Sequence, residues 1–246
     1  MSTIHISHRR VTAAPTPVNG DLSYEGETFK KMPGPFGQVT GSVVISRNPN
    51  LLTLKDGPQE VGKDFSCYGN PKLQSLLDGP YRVGGGYRCS NNPSIRSLHG
   101  SPVEVPGSYN CANNPHLTSF VGAPKKVGMA GSKPGNFKAS SCSGIRSLEG
   151  LPSEVGGSML LDMLVGLKDI SDIWRHCKSV NGKLDFTGTE IERGGLGILL
   201  IKGVLDIVSE QRGMQIIKKY LGTGPQGVMR CRRELVENGL SNFATM

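Results

Sequence analysis

Four Asn-Pro pairs, Asn48-Pro49, Asn70-Pro71, Asn92-Pro93 and Asn114-Pro115, stand 22 residues apart. Cys67, Cys89 and Cys111 keep the same spacing, as do Leu51, Leu73, Ile95 and Leu117. Pro58, Pro80, Pro102 and Pro124 form another column, and Val39, Val61, Val83, Val105 and Val127 a further one. Independent columns that repeat in phase are the signature of a solenoid, in which each repeat is one short unit that buries its apolar face only by stacking on its neighbours. That constraint outranks ordinary domain reading. It also bears on function, because stacked repeats present long surfaces.

One turn, residues 73–92, shows how the period folds. Its apolar positions are Leu73, Leu76, Val83, Tyr87 and Cys89, and Tyr87 and Cys89 alternate with Gly86, Arg88 and Ser90. Alternation of period two marks a short strand with one buried face. The same strand recurs at Phe65/Cys67, Tyr109/Cys111, Phe137/Ala139, Met159/Leu161 and Leu184/Phe186, with weaker copies at Leu22/Tyr24 and Val43/Ile45. The stretches between strands hold Gly and Pro and are too short for long helices, so they read as extended or 3₁₀-like. Asn70, Asn92 and Asn114 follow the Cys column by three residues, where a stacked Asn bonds backbone groups that the corner leaves unpaired. Cys142, Leu164 and Thr189 take that slot later, and Leu164 alone offers no polar atom.

The pattern L-x-S-L-x-x-x-P-x-x-V-x-x-x-[FY]-x-C-x-x-N resembles the leucine-rich repeat, above all the short Pro-containing form of secreted bacterial effectors. Its Gly-rich variant is similar to repeat proteins of large tailed bacteriophages over residues 18–192. The tail shares their I-x-x-[KR]-Y-L at residues 216–221 and their C-x-x-E-L-x-x-x-G-L-x-x-[FY]-A at residues 231–244. The resemblance implies a mainly β solenoid of about eight turns with a parallel sheet on one face and a small α-helical C-terminal cap. It also implies a phage source and, with it, a host-takeover role in the host cytoplasm.

The domain reading is a flexible basic N-terminal arm over residues 1–17, the solenoid over 18–192 and the helical cap over 193–246. Two irregularities interrupt the period. Val127 to Val155 is a step of 28, which places a six-residue insertion at residues 129–134. After Val155 the Pro slot becomes Trp174, and residues 171–179 read as a helical stretch with Ile173, Trp174 and Cys177 on one face. In the cap, Pro225 opens a last helix and Gly239 follows its end, the expected asymmetry. Val228, Cys231 and Leu235 form its apolar stripe.

Known chemistries find little support. The five histidines have no metal or triad spacing. No C-x-x-C pair suggests zinc or redox work, and the Cys column reads as a slot for small buried hydrophobes with reduced thiols. Gly84-Gly85-Gly86 lacks the G-K-[ST] of a phosphate loop and belongs to the repeat corner. The 54 residues beyond the repeats are too few for the ubiquitin-ligase domain carried by bacterial effectors with similar repeats. The reading is therefore of a non-enzyme, with no cofactor, no metal, no small-molecule substrate, no membrane partner and a cytoplasmic location. The formal charge of +8 permits an acidic partner but equally serves solubility.

The residues free to bind are the period-two partners of the buried ones. Asp64 and Asn136 precede the aromatic column. Ser66, Arg88, Asn110, Lys138, Leu160 and Asp185 lie between aromatic and Cys columns. Tyr68, Ser90, Ala112, Ser140 and Asp162 follow the Cys column. These vary in type while the buried columns hold, and Arg and Tyr are favoured anchors. The expected partner is a host or phage protein on this strand face. Lys133 in the insertion, Trp174, and Arg230, Arg232 and Arg233 on the last helix form a secondary surface. The three arginines support a second reading, a nucleic-acid-binding accessory protein, and a structural part of a phage assembly is a third.

Overall fold

The computed structural model describes residues 14–130 and 133–246. Most of the arm expected over residues 1–17 and residues 131–132 of the insertion lie outside the described residues. The chain coils as a parallel β-solenoid of about nine turns. Nine strands form one continuous parallel sheet, from Leu22–Glu25, Val43–Ser46 and Phe65–Ser66 through Tyr87–Arg88, Tyr109–Asn110 and Phe137–Lys138 to Met159–Leu160, Lys183–Asp185 and Asp206–Val208. The ninth strand extends the count of about eight turns. It carries the sheet past residue 192, where the repeat columns fade.

The Val column forms strands of its own. Thr16–Val18, Phe36–Val39, Glu60–Val61 and Arg82–Val83 make one parallel ribbon, and Glu104–Val105, Lys126–Val127, Glu154–Val155 and Ser179–Val180 make a second. Each turn thus has two short strands joined by a corner. The corner after the Val column is glycine at Gly62, Gly84, Gly128 and Gly156, with Thr40 and Pro106 in the same slot of two other turns, and at the glycine corners turns lie backbone on backbone. A Cβ on Gly84 would stand 2.0 Å from the Gly62 carbonyl oxygen, and one on Gly156 1.9 Å from that of Gly128. The glycines belong to the corner, as the repeat implied. One residue before the Asn slot the chain turns through left-handed backbone in turn after turn, at Arg47, Gly69, Asn91, Asn113, Ser141 and Met163, with φ between 58° and 72°.

The core is a set of stacked columns. Phe65, Tyr87, Tyr109 and Phe137 stack with ring centroids 4.9, 5.5 and 5.8 Å apart. The Asn slot forms the ladder its position predicts: Asn48 N–H donates to Asn70 Oδ1 at 2.9 Å, Asn70 N–H to Asn92 and Asn92 N–H to Asn114 at 2.8 Å. Each Nδ2 of Asn92 and Asn114 reaches two carbonyls of the Cys column, so the Cys89 carbonyl accepts from both. All four asparagines are fully buried. Later the Cys142 thiol donates to the Cys111 carbonyl at 3.2 Å. Thr189 Oγ1 accepts from Leu164 N–H and donates to the Leu161 carbonyl. The Leu164 side chain contributes no bond, as its chemistry requires.

The two irregularities fall where the columns slip. Gly128 and Gly135 face each other at the mouth of the insertion, Gly135 N–H donating to the Gly128 carbonyl. Helix α1, Ile173–His176, replaces the Pro slot for one turn. Ile173 and Cys177 are buried there, and Trp174 packs half-buried against the core. At the C-terminal end α2, Arg212–Lys218, packs on the last strand, and α3, Gly224–Glu237, packs on α2. Cys231 and Leu235 of α3 are fully buried, and Pro225 opens the helix. Gly239 leaves it at a φ of 73°, the left-handed exit common after helices.

Candidate interaction surface

Strand register sets the outward row. Ser66 pairs with Arg88, Arg88 with Asn110, Asn110 with Lys138, Lys138 with Leu160 and Leu160 with Asp185. Six of the residues expected to bind therefore stand side by side on consecutive strands. Ser23 and Val44 extend the row on one side and Val208 on the other. These three share the alternation phase of the others, which is the signal by which they are found.

Tyr68 and Asp162 fall in the next row, two residues further along each strand. That row is less open than its phase suggests, because Ser90, Ala112 and Ser140 are buried. Tyr68 explains part of this closure. The Arg88 guanidinium stacks on its ring at 3.8 Å from the centroid, and Arg47 approaches the same ring at 5.4 Å. Arg88 Nε also donates to Ser90 Oγ at 3.0 Å, and Arg47 pairs with Glu25 at 2.7 Å. Arg47 escapes a column reading because it occupies the left-handed turn position and not the strand.

Asp64 and Asn136 serve the fold first. Asp64 Oδ1 accepts the Gly86 N–H at 2.6 Å, and Asn136 Oδ1 accepts the Ser158 N–H at 2.7 Å. Ser108 Oγ accepts from Asn136 N–H, and Ser158 Oγ from Lys183 N–H. The slot before the aromatic column is thus a second, exposed ladder that joins corner to corner. Asp162 is engaged by the Ser140 hydroxyl. At Asp185 partial burial works to raise the carboxyl, but hydrogen bonds from Thr187 and the Lys183 ammonium outweigh it and hold it below its usual range.

The secondary residues do not join this row. Lys133 is exposed in the insertion. Trp174 lies on α1, with the Arg175 guanidinium and Lys178 ammonium 5.3 and 5.8 Å from its ring. Arg230, Arg232 and Arg233 are exposed on α3, whereas nearby Lys218 and Lys219 are each paired at 2.6 Å, with Asp206 and Glu234. The outer positions of the Val ribbons alternate in sign along Glu60, Arg82, Glu104, Lys126 and Glu154. Pairs close at 3.8 Å for Glu60 with Arg82 and 3.5 Å for Glu104 with Lys126.

All six cysteines are free and buried. Burial pushes the Cys89, Cys177 and Cys231 thiols up to about 12 and Cys142 up to about 11. At neutral pH they stay protonated and are poor nucleophiles. Among the described residues no three His, Cys, Asp or Glu side chains gather where they would hold a metal ion, and no helix is long and apolar enough to cross a membrane. Comparison with protein families, curated proteins and solved structures gave no match.

Proposed function

We propose that the protein is a non-enzymatic interaction module that engages one partner protein through the outward row of its nine-stranded sheet. The observation that carries this reading is the contrast between the two sides of one strand set. Inward, the columns stay apolar and, from Val43 to Phe186, buried. Outward, the registered row changes from Ser66 to Arg88, Asn110, Lys138, Leu160 and Asp185 with no packing demand to fix it. A rigid sheet that holds varied side chains in fixed register suits recognition. The resemblance to phage repeat proteins supports a phage-encoded protein acting on a host or phage partner in the host cytoplasm.

The test is covalent capture. A photo-crosslinking residue at Asn110 should trap one protein from host or infected-cell lysate, and the same residue at Lys126 on the Val ribbon should not. Equal yield from both positions would remove the strand face as the binding surface. The second reading, nucleic acid held by α3, rests on Arg230, Arg232 and Arg233, which have no carboxylate partner among the described residues. It requires salt-sensitive binding of generic DNA or RNA that disappears when all three are neutralised.

A further inference from the structure

The middle of the outward row offers donors alone. Arg88 spends Nε on Ser90 and one face of its guanidinium on the Tyr68 ring, which fixes the group and leaves its terminal nitrogens open. Asn110 spends its oxygen on the Ala112 N–H at 3.0 Å, so its free atoms are the two N–H donors of the amide. Lys138 is exposed and has no carboxylate partner among the described residues, and neither has Arg88. Cation, amide donor and cation thus stand on three consecutive strands. Carboxylates bound the stretch on both sides: Glu25 and Asp64 towards the first turns, Asp162 and Asp185 towards the last.

We propose that this stretch seats an acidic, extended peptide segment of the partner, lying across the strands with two carboxylates three residues apart. The proposal rests on the strand-face reading above and adds the chemistry of the occupant. The spacing follows from the sheet. Adjacent strands lie about 4.8 Å apart, so Arg88 and Lys138 are separated by about 10 Å at the backbone. A polyproline II segment rises about 3.1 Å per residue with three residues per turn. Side chains i and i+3 then leave the same side about 9 Å apart. Their carboxylates meet the two cations, and a backbone carbonyl between them meets the Asn110 amide. A β-strand ligand fits worse, because its same-side spacings are about 7 and 13 Å. The bounding carboxylates favour a short acidic segment over nucleic acid, since a longer polyanion would run onto Asp64 on one side and Asp162 and Asp185 on the other.

The probe is a proline-rich synthetic peptide with two glutamates three residues apart, set against an isomer with the glutamates adjacent. Both are titrated into the full chain and followed by amide and arginine side-chain shifts. The spaced peptide should shift the row from Ser66 to Leu160 and bind about tenfold more tightly than its isomer. Arg88→Glu and Lys138→Glu should each weaken it by about tenfold or more, the factor that corresponds to about 1.4 kcal/mol. Equal binding of the two peptides would overturn the proposal. So would tighter binding of single-stranded DNA at the same row, or no shift at millimolar peptide. The capture experiment separates this from the parent reading. If Ser66→Trp, two strands from the crosslinker on the outward row, abolishes partner capture while the two charge reversals leave it intact, the strand face stands and the acidic occupant falls. If none of the three reduces capture, both fall.

Discussion

Turns two to five and the turns after the insertion are built on the same columns but close their corners differently. In the earlier set Asn48, Asn70, Asn92 and Asn114 each accept a backbone N–H from the turn before, and the left-handed position is filled by Gly69, Asn91 and Asn113 as well as Arg47. In the later set the same slots hold Cys142, Leu164 and Thr189, and the left-handed position holds Ser141 and Met163, with glycine returning only at Gly188. The aliphatic core does not share this wear, since Ile145, Leu148, Leu161 and Leu167 are as buried as Leu73 and Leu98. The difference teaches that apolar stacking carries the solenoid across turns whose polar bracing is incomplete. The braced turns should therefore be the ones most easily damaged at the corner.

The largest effect should come from Asn92→Ala. It orphans the Asn70 N–H in a fully buried site and removes one of the two side-chain donors from each of the Cys67 and Cys89 carbonyls. An unsatisfied buried group costs about 1–3 kcal/mol, and with the two weakened carbonyls the loss should reach about 3 kcal/mol. Cys142→Ala in the same slot removes one thiol donor to a carbonyl that Asn114 also serves, and should cost about 1 kcal/mol. Chemical denaturation of both variants decides the matter. Equal losses would show that the ladder does not distinguish the two sets.

The glycine corner offers the opposite expectation. Gly84→Ala and Gly156→Ala each drive a methyl group onto a backbone oxygen of the preceding turn. Overpacking against backbone that cannot yield costs about 1–3 kcal/mol, and the two losses should agree. A clearly smaller loss at Gly156 would mean that the later turns are looser throughout and not only in their polar slots.

The solenoid, its sheet and the Asn ladder were legible because each depends on a column of one residue type, and periodic columns survive without any knowledge of distance. The outward row was legible for the same reason, since register on a parallel sheet follows from equal spacing. What escaped depends on side chains that reach outside their own column. Arg47 and Arg88 close on Tyr68 from adjacent turns. Asp64 and Asn136, plausible contacts by position, turn back to bond the next corner. The Val column gave its period but not its strands, because two residues are too few to alternate. The last strand, Asp206–Val208, escaped because only Ile207 retains the inward column.

A subtler pair of substitutions probes a fault inside the well-braced set. The Tyr109 hydroxyl is 2.8 Å from Ser101 Oγ, while the Tyr87 hydroxyl is buried with no partner among the described residues. Ser101 corresponds, 22 residues back, to Gly79, and the Cys89 thiol also donates to the Tyr109 hydroxyl at 3.5 Å. Tyr109→Phe should cost about 1 kcal/mol. Tyr87→Phe should cost nothing or raise stability by up to about 1 kcal/mol, because it removes an unsatisfied buried group. Opposite signs in thermal unfolding support this account, and equal losses refute it.

The smallest effect, and the most direct repair of a worn turn, is Met163→Gly. Met163 holds a φ of 58°, a conformation that costs a residue with a Cβ about 1–2 kcal/mol. Its side chain is 49% exposed, so its removal forfeits little packing. Glycine adds about 0.5–1 kcal/mol of chain entropy to the unfolded state, and the balance should favour the variant by about 0.5–1 kcal/mol. The mirror change, Gly69→Ala at a φ of 72° in the braced set, should cost about 1 kcal/mol. If Met163→Gly instead lowers the denaturation midpoint, the Met163 thioether packed at Gly188 does more for the later turns than the strained backbone takes away. The wear would then lie in the missing polar slot at Leu164 alone.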